Sequence, residues 1–263
     1  MDIPQNMSGG LRTNGIIKSS STDYPLVSII TVVFNGERYL EQTILSVINQ
    51  KYRNFEYIII DGLSSDKTRD IIRKYENKID YWISESDAGI YDAMNKGIAL
   101  SNGELIGIIN SDDWYEEVAV AEVVEKYKCN LDINIFHGLH RLWDDRGVLG
   151  VIGHTDLFLN NGMISHPSCF IKRSIYEKYG NYSCEYKIVS DYELMLRFKS
   201  KEVSFMFIEK ILANFRNNGI SFRSKRQLIF ETMQIQKKYA LISVFQLHLY
   251  KVGYYFRSVF LSE

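Results

Sequence analysis

Asp112 and Asp113 close the stretch ELIGIINSDDWY, residues 104–115, directly after an apolar run. Adjacent carboxylates repel unless a proton or a cation is shared between them, and hard divalent cations prefer oxygen ligands. Divalent-metal binding is therefore the first chemistry this pair suggests. Other polar residues stand in the same relation to other apolar runs: Asn35 and Glu37 after VSIITVVF, Asp61 after FEYIII, and Asp87 after YWIS. Singly these are turn and cap residues. Four such run ends together fit one ligand-binding edge, where Asp61 can accept the imide N–H of a uracil and Asp113 can hold a metal bridging two phosphates.

The elements that must position them follow from periodicity. Residues 27–34, 55–60, 81–84 and 105–109 read as strands buried on both faces. Between them, Leu40, Ile44, Val47 and Ile48 repeat at helical spacing, Ser64, Ser65 and Asp66 offer caps for a helix to about Tyr75, and a third helix covers 90–100. This alternation predicts an α/β, doubly wound, mostly parallel sheet through about Tyr127, with ligands at the carboxyl ends of its strands. A smaller mixed region then reads as strands at 133–137, 139–143, 148–152, 169–172, 204–208 and 211–215. Asp144-Asp145-Arg146-Gly147 makes a hairpin turn, and helices cover 174–179 and 190–198. Ser190 and Glu193 have capping-box spacing, which leaves Asp191 in the first turn facing a cleft.

Neither GxGxxG nor GxxxxGK[ST] follows the first strand, so the dinucleotide fingerprint and the P-loop are excluded. NGERY is likewise no triphosphate loop for a sugar-1-phosphate nucleotidyltransferase. His137, His140, His154 and His166 include no HxxxH pair. Only His166, before Pro167, is kept as a site candidate.

The 263 residues, 46% hydrophobic and 24% charged with a formal net charge of -1, describe a globular chain with no global attraction to nucleic acid. Charge is uneven: residues 197–263 carry twelve Lys or Arg against four Asp or Glu. Cys129, Cys169 and Cys184 read as buried free thiols of a reducing cytosol. Residues 1–24 read as a flexible extension without a signal peptide, and no stretch reads as a transmembrane helix. Residues 223–263 are helical, with a basic, aromatic stripe from Leu241 to Phe260 that fits a membrane surface, the domain itself or a second copy.

VSIITVVFNGERYLEQTILSVINQ, FEYIIIDGLSSDKT, SDAGIYDAMNKGIALSNGELIGIINSDDWY, SHPSCFIKRSIYEKYG and IVSDYELMLRF follow one another over residues 25–222. Their sequence resembles family 2 glycosyltransferases of the GT-A fold, which transfer a sugar with inversion from a nucleotide diphosphate donor. The resemblance implies a nucleotide-sugar half at 25–127 and an acceptor half at 128–222. It also implies donor contacts from Thr31, Val33, Asn35, Glu37, Asp61, Ser64, Lys96 and Asp112, and Mn²⁺ or Mg²⁺ on Asp113. Asp191 matches the general base, and Tyr91, Asp92 and His166 are sugar-pocket or acceptor candidates. Asn110 stands where many members carry an acid, and Ala93-Met94-Asn95 where many carry an arginine, so that Lys96 is left to supply positive charge. The implied donor is a UDP-sugar, and the implied acceptor a glycan or lipid-linked glycan in cell-envelope synthesis at the cytoplasmic face of the membrane. A catalytically silent nucleotide-sugar- or glycan-binding subunit would keep the same cleft.

Overall fold

The computed structural model describes residues 7–217 and 224–241. Four parallel strands form its centre: β2 (Val27–Val33), β3 (Phe55–Asp61), β4 (Tyr81–Ser84) and β5 (Leu105–Asn110). Each reads almost entirely apolar because both faces are covered. Ile30, Val32, Ile58, Ile60, Ile106 and Ile108 point to one side; Ile29, Val33, Tyr57, Ile59, Leu105 and Ile109 point to the other. Helices α1 (Leu40–Ile48), α2 (Thr68–Lys74) and α4 (Ala119–Cys129) cover the second face. Helices α3 (Ile90–Leu100), α5 (Arg173–Tyr179) and α6 (Ser190–Ser200) cover the first. Burying one such isoleucine contributes about 1.5–3 kcal/mol, so the alternation of faces fixes which way every strand end points.

The sheet continues past this centre. With β1 (Met7–Gly9), β6 (Trp114–Tyr115), β7 (Ile135–Asp144), β9 (Phe170–Lys172) and β10 (Phe205–Arg216), the order is β1-β4-β3-β2-β5-β9-β7-β10-β6. The remaining strand, β8 (Gly147–Ile152), hangs on β7 through the expected hairpin, in which Asp144 accepts the Arg146 and Gly147 N–H groups. The strands expected at 133–137 and 139–143 are joined in β7, which begins only at Ile135. The pair expected at 204–208 and 211–215 is joined in β10, with register shifts at Ile208/Ile211 and Ile211/Ala213. A bulge interrupts alternation without ending a strand, which is why the pattern reads as two.

Two expectations fail at the edges. From Met7 on, the supposed flexible extension is docked: β1 pairs antiparallel with β4, Arg12 ion-pairs Glu56, and Lys18 reaches Asp80 at 2.9 Å. Both carboxylates are buried, and a buried charge needs a partner. The capping box is also absent. Val189 caps α6, the Ser190 hydroxyl is buried without a partner, and Glu193 turns to Arg197, Lys238 and Tyr239. Lys238 belongs to α7 (Lys225–Lys238), so Glu193 ties α6 to α7. Of the three cysteines, only Cys169 is buried. No helix among the described residues is long and apolar enough to cross a membrane, and the aromatic stripe beyond Leu241 lies outside them.

Candidate active site

The carboxyl ends of β2 and β3 are laced together. Asn35 turns the chain with φ 51°, a left-handed conformation that asparagine tolerates, and Leu63 does so at φ 64°. The Asn35 N–H donates to Ser64 Oγ at 2.8 Å, and its Oδ1 accepts the Ser65 N–H at 2.9 Å. The Glu37 N–H donates to Asp66 at 3.1 Å, while its own carboxylate accepts the Lys67 N–H at 3.0 Å. Asn35, Glu37 and Ser64 thus form one rim. Asp61 sits behind it, fully buried, accepting the Ser64 N–H at 3.1 Å and the hydroxyls of Ser64 and Ser84. It anchors the rim loop and presents no exposed oxygen to a base. Thr31 departs further: it lies inside β2, fully buried, with its hydroxyl on Tyr57 at 3.0 Å. Val33 is nearly buried at the strand end.

At the end of β5, Asp113 is 1% exposed. Its Oδ1 accepts the Arg216 N–H at 3.0 Å, whereas Oδ2 has no partner. Burial and the adjacent Asp112 charge push the Asp113 carboxyl well above the usual range, against the pull of Arg216. Thr43 fixes the turn by donating to the carbonyls of Ser111 and Asp113 at 3.0 and 2.6 Å. An orphaned carboxylate oxygen beside a second carboxylate fits a hard cation. Among the described residues no group of three His, Cys, Asp or Glu converges.

A cavity of about 200 Å³ brings the two halves together: Asn110 from β5, Tyr91 from α3, His140 from β7, His166, Asp191 from α6 and Phe215 from β10. Asp191 Oδ1 accepts the Tyr192 N–H at 2.8 Å and lies 3.4 Å from the Tyr91 hydroxyl, which itself donates to Ile188 O at 2.6 Å. Burial raises the Asp191 pKa, tempered by His166 and the Tyr192 N–H, while burial lowers the pKa of His166 itself. His166 Nε2 meets the Tyr182 hydroxyl at 2.9 Å, and Tyr182 stacks on Tyr91 at 5.6 Å. Tyr91 and His166 therefore line the same cavity as Asp191.

Asp92 and Lys96 do not. Asp92 accepts the Ala88 N–H at 3.0 Å at the start of α3, and Lys96 is held by Glu85 at 2.9 Å, Ser86 O at 2.8 Å and Asp92 at 3.6 Å. One helical turn separates Asp92 from Lys96, and Glu85 lies just beyond β4, so the lysine satisfies local acids. Sequence reasoning set His140 aside and overlooked Phe215 and Arg216. His140 Nδ1 lies 2.6 Å from Ser165 Oγ, and burial pushes its pKa down to about 4. No spacing rule marks these residues, because β7 and β10 come together only through the parallel pairing of distant strands.

The model of Glycosyl transferase family 2 matches residues 28–180. The chain belongs to that family. An uncharacterised glycosyltransferase of Mycobacterium tuberculosis is 31% identical to this glycosyltransferase over 80% of its length and 82% of the relative's. TuaG of Bacillus subtilis, named for teichuronic acid biosynthesis, is 37% identical over 38% of this chain and 41% of its own. Among solved structures, S. aureus TarS 1–349 with UDP-GlcNAc superposes with a TM-score of 0.67 at 17% identity, covering 83% of this glycosyltransferase and 67% of TarS 1–349. The mannosyltransferase PcManGT of Pyrobaculum calidifontis, with GDP-Man and Mn²⁺, gives 0.67 at 14% over 86% and 67%. The glycosyltransferase fold is thus GT-A, an α/β fold with a mostly parallel sheet, as the motifs implied.

Proposed function

We propose that this glycosyltransferase moves a sugar, with inversion, from a UDP-sugar to a hydroxyl of a glycan or lipid-linked glycan in cell-surface glycan assembly. The observation that carries the reading is that Asp191 and Asn110, the residue that opens the NSDD turn, line one cavity although they come from different halves of the chain. TarS with UDP-GlcNAc supports a nucleotide-sugar donor, and TuaG supports a surface-glycan acceptor.

In this reading Asp191 takes the proton of the acceptor hydroxyl as that oxygen attacks the anomeric carbon from the face opposite the diphosphate. The anomeric carbon–oxygen bond to the diphosphate breaks as the new bond forms. The raised pKa makes Asp191 a stronger base, and the Tyr192 N–H fixes its orientation. Diphosphate is a good leaving group, so one protein base suffices, unlike the two carboxyls of inverting glycoside hydrolysis. Asn35, Glu37 and Ser64 frame the nucleoside end, with Asp112 toward the ribose and sugar. Asp113 would hold Mn²⁺ or Mg²⁺, which when bound supplies a Lewis acid that offsets charge on the departing diphosphate.

The test is release of UDP by the purified full chain with Mn²⁺, a panel of sugar nucleotides and oligosaccharide or glycolipid acceptors. Turnover, together with an Asp191→Asn variant that binds donor but does not transfer, supports the reading. Donor binding without turnover on any acceptor would instead mark a silent binding subunit.

A further inference from the structure

We propose that Glu231 is a positioning residue for the transfer: from α7 it holds the loop before α6 so that Tyr91 gives its proton to the Ile188 carbonyl and Asp191 stays open to the acceptor hydroxyl. The proposal rests on the glycosyl-transfer reading above. Residues 181–189 join α5 to α6 without helix or strand and end two residues before Asp191, so their backbone groups must find partners elsewhere. Tyr182 exchanges two hydrogen bonds with Asn95 of α3, at 2.9 and 3.0 Å, which fixes the start of the loop. Glu231 fixes its end: one carboxylate oxygen accepts the Lys187 N–H at 3.1 Å and the other the Ile188 N–H at 2.9 Å. Gln227, one turn earlier on α7, donates to the same carboxylate at 2.9 Å. Glu231 is 5% exposed, and these three N–H donors replace the water its carboxylate gives up.

Two successive peptides are thereby held, and the carbonyl that follows them is presented to Tyr91. Ile188 O accepts the Tyr91 hydroxyl at 2.6 Å, whereas Asp191 Oδ1 lies 3.4 Å from the same hydroxyl. A phenol has one proton to donate, so the two oxygens compete for it, and the shorter contact takes it. If the Ile188 carbonyl swung away, that proton would turn to Asp191 and favour its ionised form. A carboxylate stabilised in this way is a weaker base.

The other groups around Asp191 do not depend on this carbonyl. Burial raises the Asp191 pKa, and His166, the Tyr192 N–H and then Tyr91 lower it. Tyr182 and Cys169 also interact with its charge, and His140 and Lys187 line the same cavity. Tyr91 is the one bonded to Ile188. The match to the family model ends at residue 180, so both the loop and α7 lie outside the matched region.

The test is an NMR titration of the full chain with carboxyl-labelled aspartate, the Asp191 signal being assigned by its loss in Asp191→Asn, alongside the pH profile of sugar transfer. Glu231→Gln keeps the side chain's length but sets an amide N–H against a backbone N–H. It should lower the Asp191 pKa by about one unit, the worth of a hydrogen bond to a charged group, and move the acid limb of kcat/KM down with it. It should also reduce kcat roughly three- to tenfold with donor Kd unchanged. Glu231→Asp, which keeps the charge but reaches less far, should shift the titration part of the way. In a Tyr91→Phe background neither substitution should move it, because the proton in question is gone. Glu193→Ala, which loosens α6 from α7 elsewhere, should lower Tm without moving the limb. An Asp191 titration that Glu231→Gln leaves in place, or shifts equally with phenylalanine at position 91, overturns the proposal, as does an equal shift in Glu193→Ala. An Asp191→Asn variant that still transfers sugar overturns the base reading itself, a result separable from the titration.

Discussion

Asp191 and Asp113 are carboxylates pushed in the same direction by burial, yet their surroundings suit them to different work. Asp191 faces a cavity and keeps contacts with Tyr91 and the Tyr192 N–H, so its ionised form can take a proton. Its raised pKa fixes the sign of the pH dependence. As the proposed base, Asp191 must be ionised for transfer, so kcat/KM should fall as pH drops through a value above the ordinary carboxylate range. Stability runs the other way: a carboxyl with a raised folded pKa stabilises the fold most when protonated, and that contribution is lost as pH rises through the folded pKa. Asp191→Asn should thus reduce kcat by about 10²–10⁴-fold while holding or raising Tm at neutral pH. A fall in Tm together with lost donor binding would count against the base assignment. At this scale the sequence was legible where function is a local motif. NSDD could be read as a carboxylate pair beyond a strand end and SDYEL as the start of a helix, though not as a capping box, whereas the polar groups of Thr31 and Lys96, expected at the donor, are claimed by Tyr57 and Glu85, which spacing does not reveal.

Helices and strands were legible wherever one face had a period, which is why β4 and α3 match their expected spans to the residue. Elements held by distant charges were not. The segment after β1 supplies Arg12 to buried Glu56, and this chain-crossing pair turns an apparently loose end into a strap over the sheet edge. Arg12→Ala leaves Glu56 buried without its cation and should cost about 3 kcal/mol in denaturant unfolding, with donor affinity unchanged in the folded fraction. Glu193 does the corresponding work between α6 and α7, and the structure replaces its supposed capping role with contacts to Lys238 and Tyr239 at 2.9 and 2.8 Å. Burial opposes ionisation of Glu193, but these contacts outweigh it and lower its pKa. Its stabilisation is therefore present above the ordinary glutamate range and lost as pH falls through the folded value. Glu193→Ala should lower stability by about 1–3 kcal/mol and speed hydrogen exchange in α7 more than in β2 to β5. Equal exchange in both would detach α7 from this contact.

For the whole molecule, the doubly wound half was legible from alternating runs, and the position of a ligand at the strand ends followed from it. The joining of the two halves was not, because it depends on β9, three residues that pair antiparallel with β5 on one side and β7 on the other. Asn110 of β5 and the strands β7 and β10, which line the cavity with Asp191, thereby belong to a single sheet. A saturating UDP-sugar at one hundred times its Kd should raise stability by about 2.7 kcal/mol and protect both halves together. Protection restricted to β2 through β5 would contradict that unity. The short strand β9 also limits how the enzyme can admit and release its substrates. With hydrogen bonds on both flanks it offers no hinge for a clamshell to open on, so the entry and exit of substrates are expected to depend on the surface turns around the cleft's mouth.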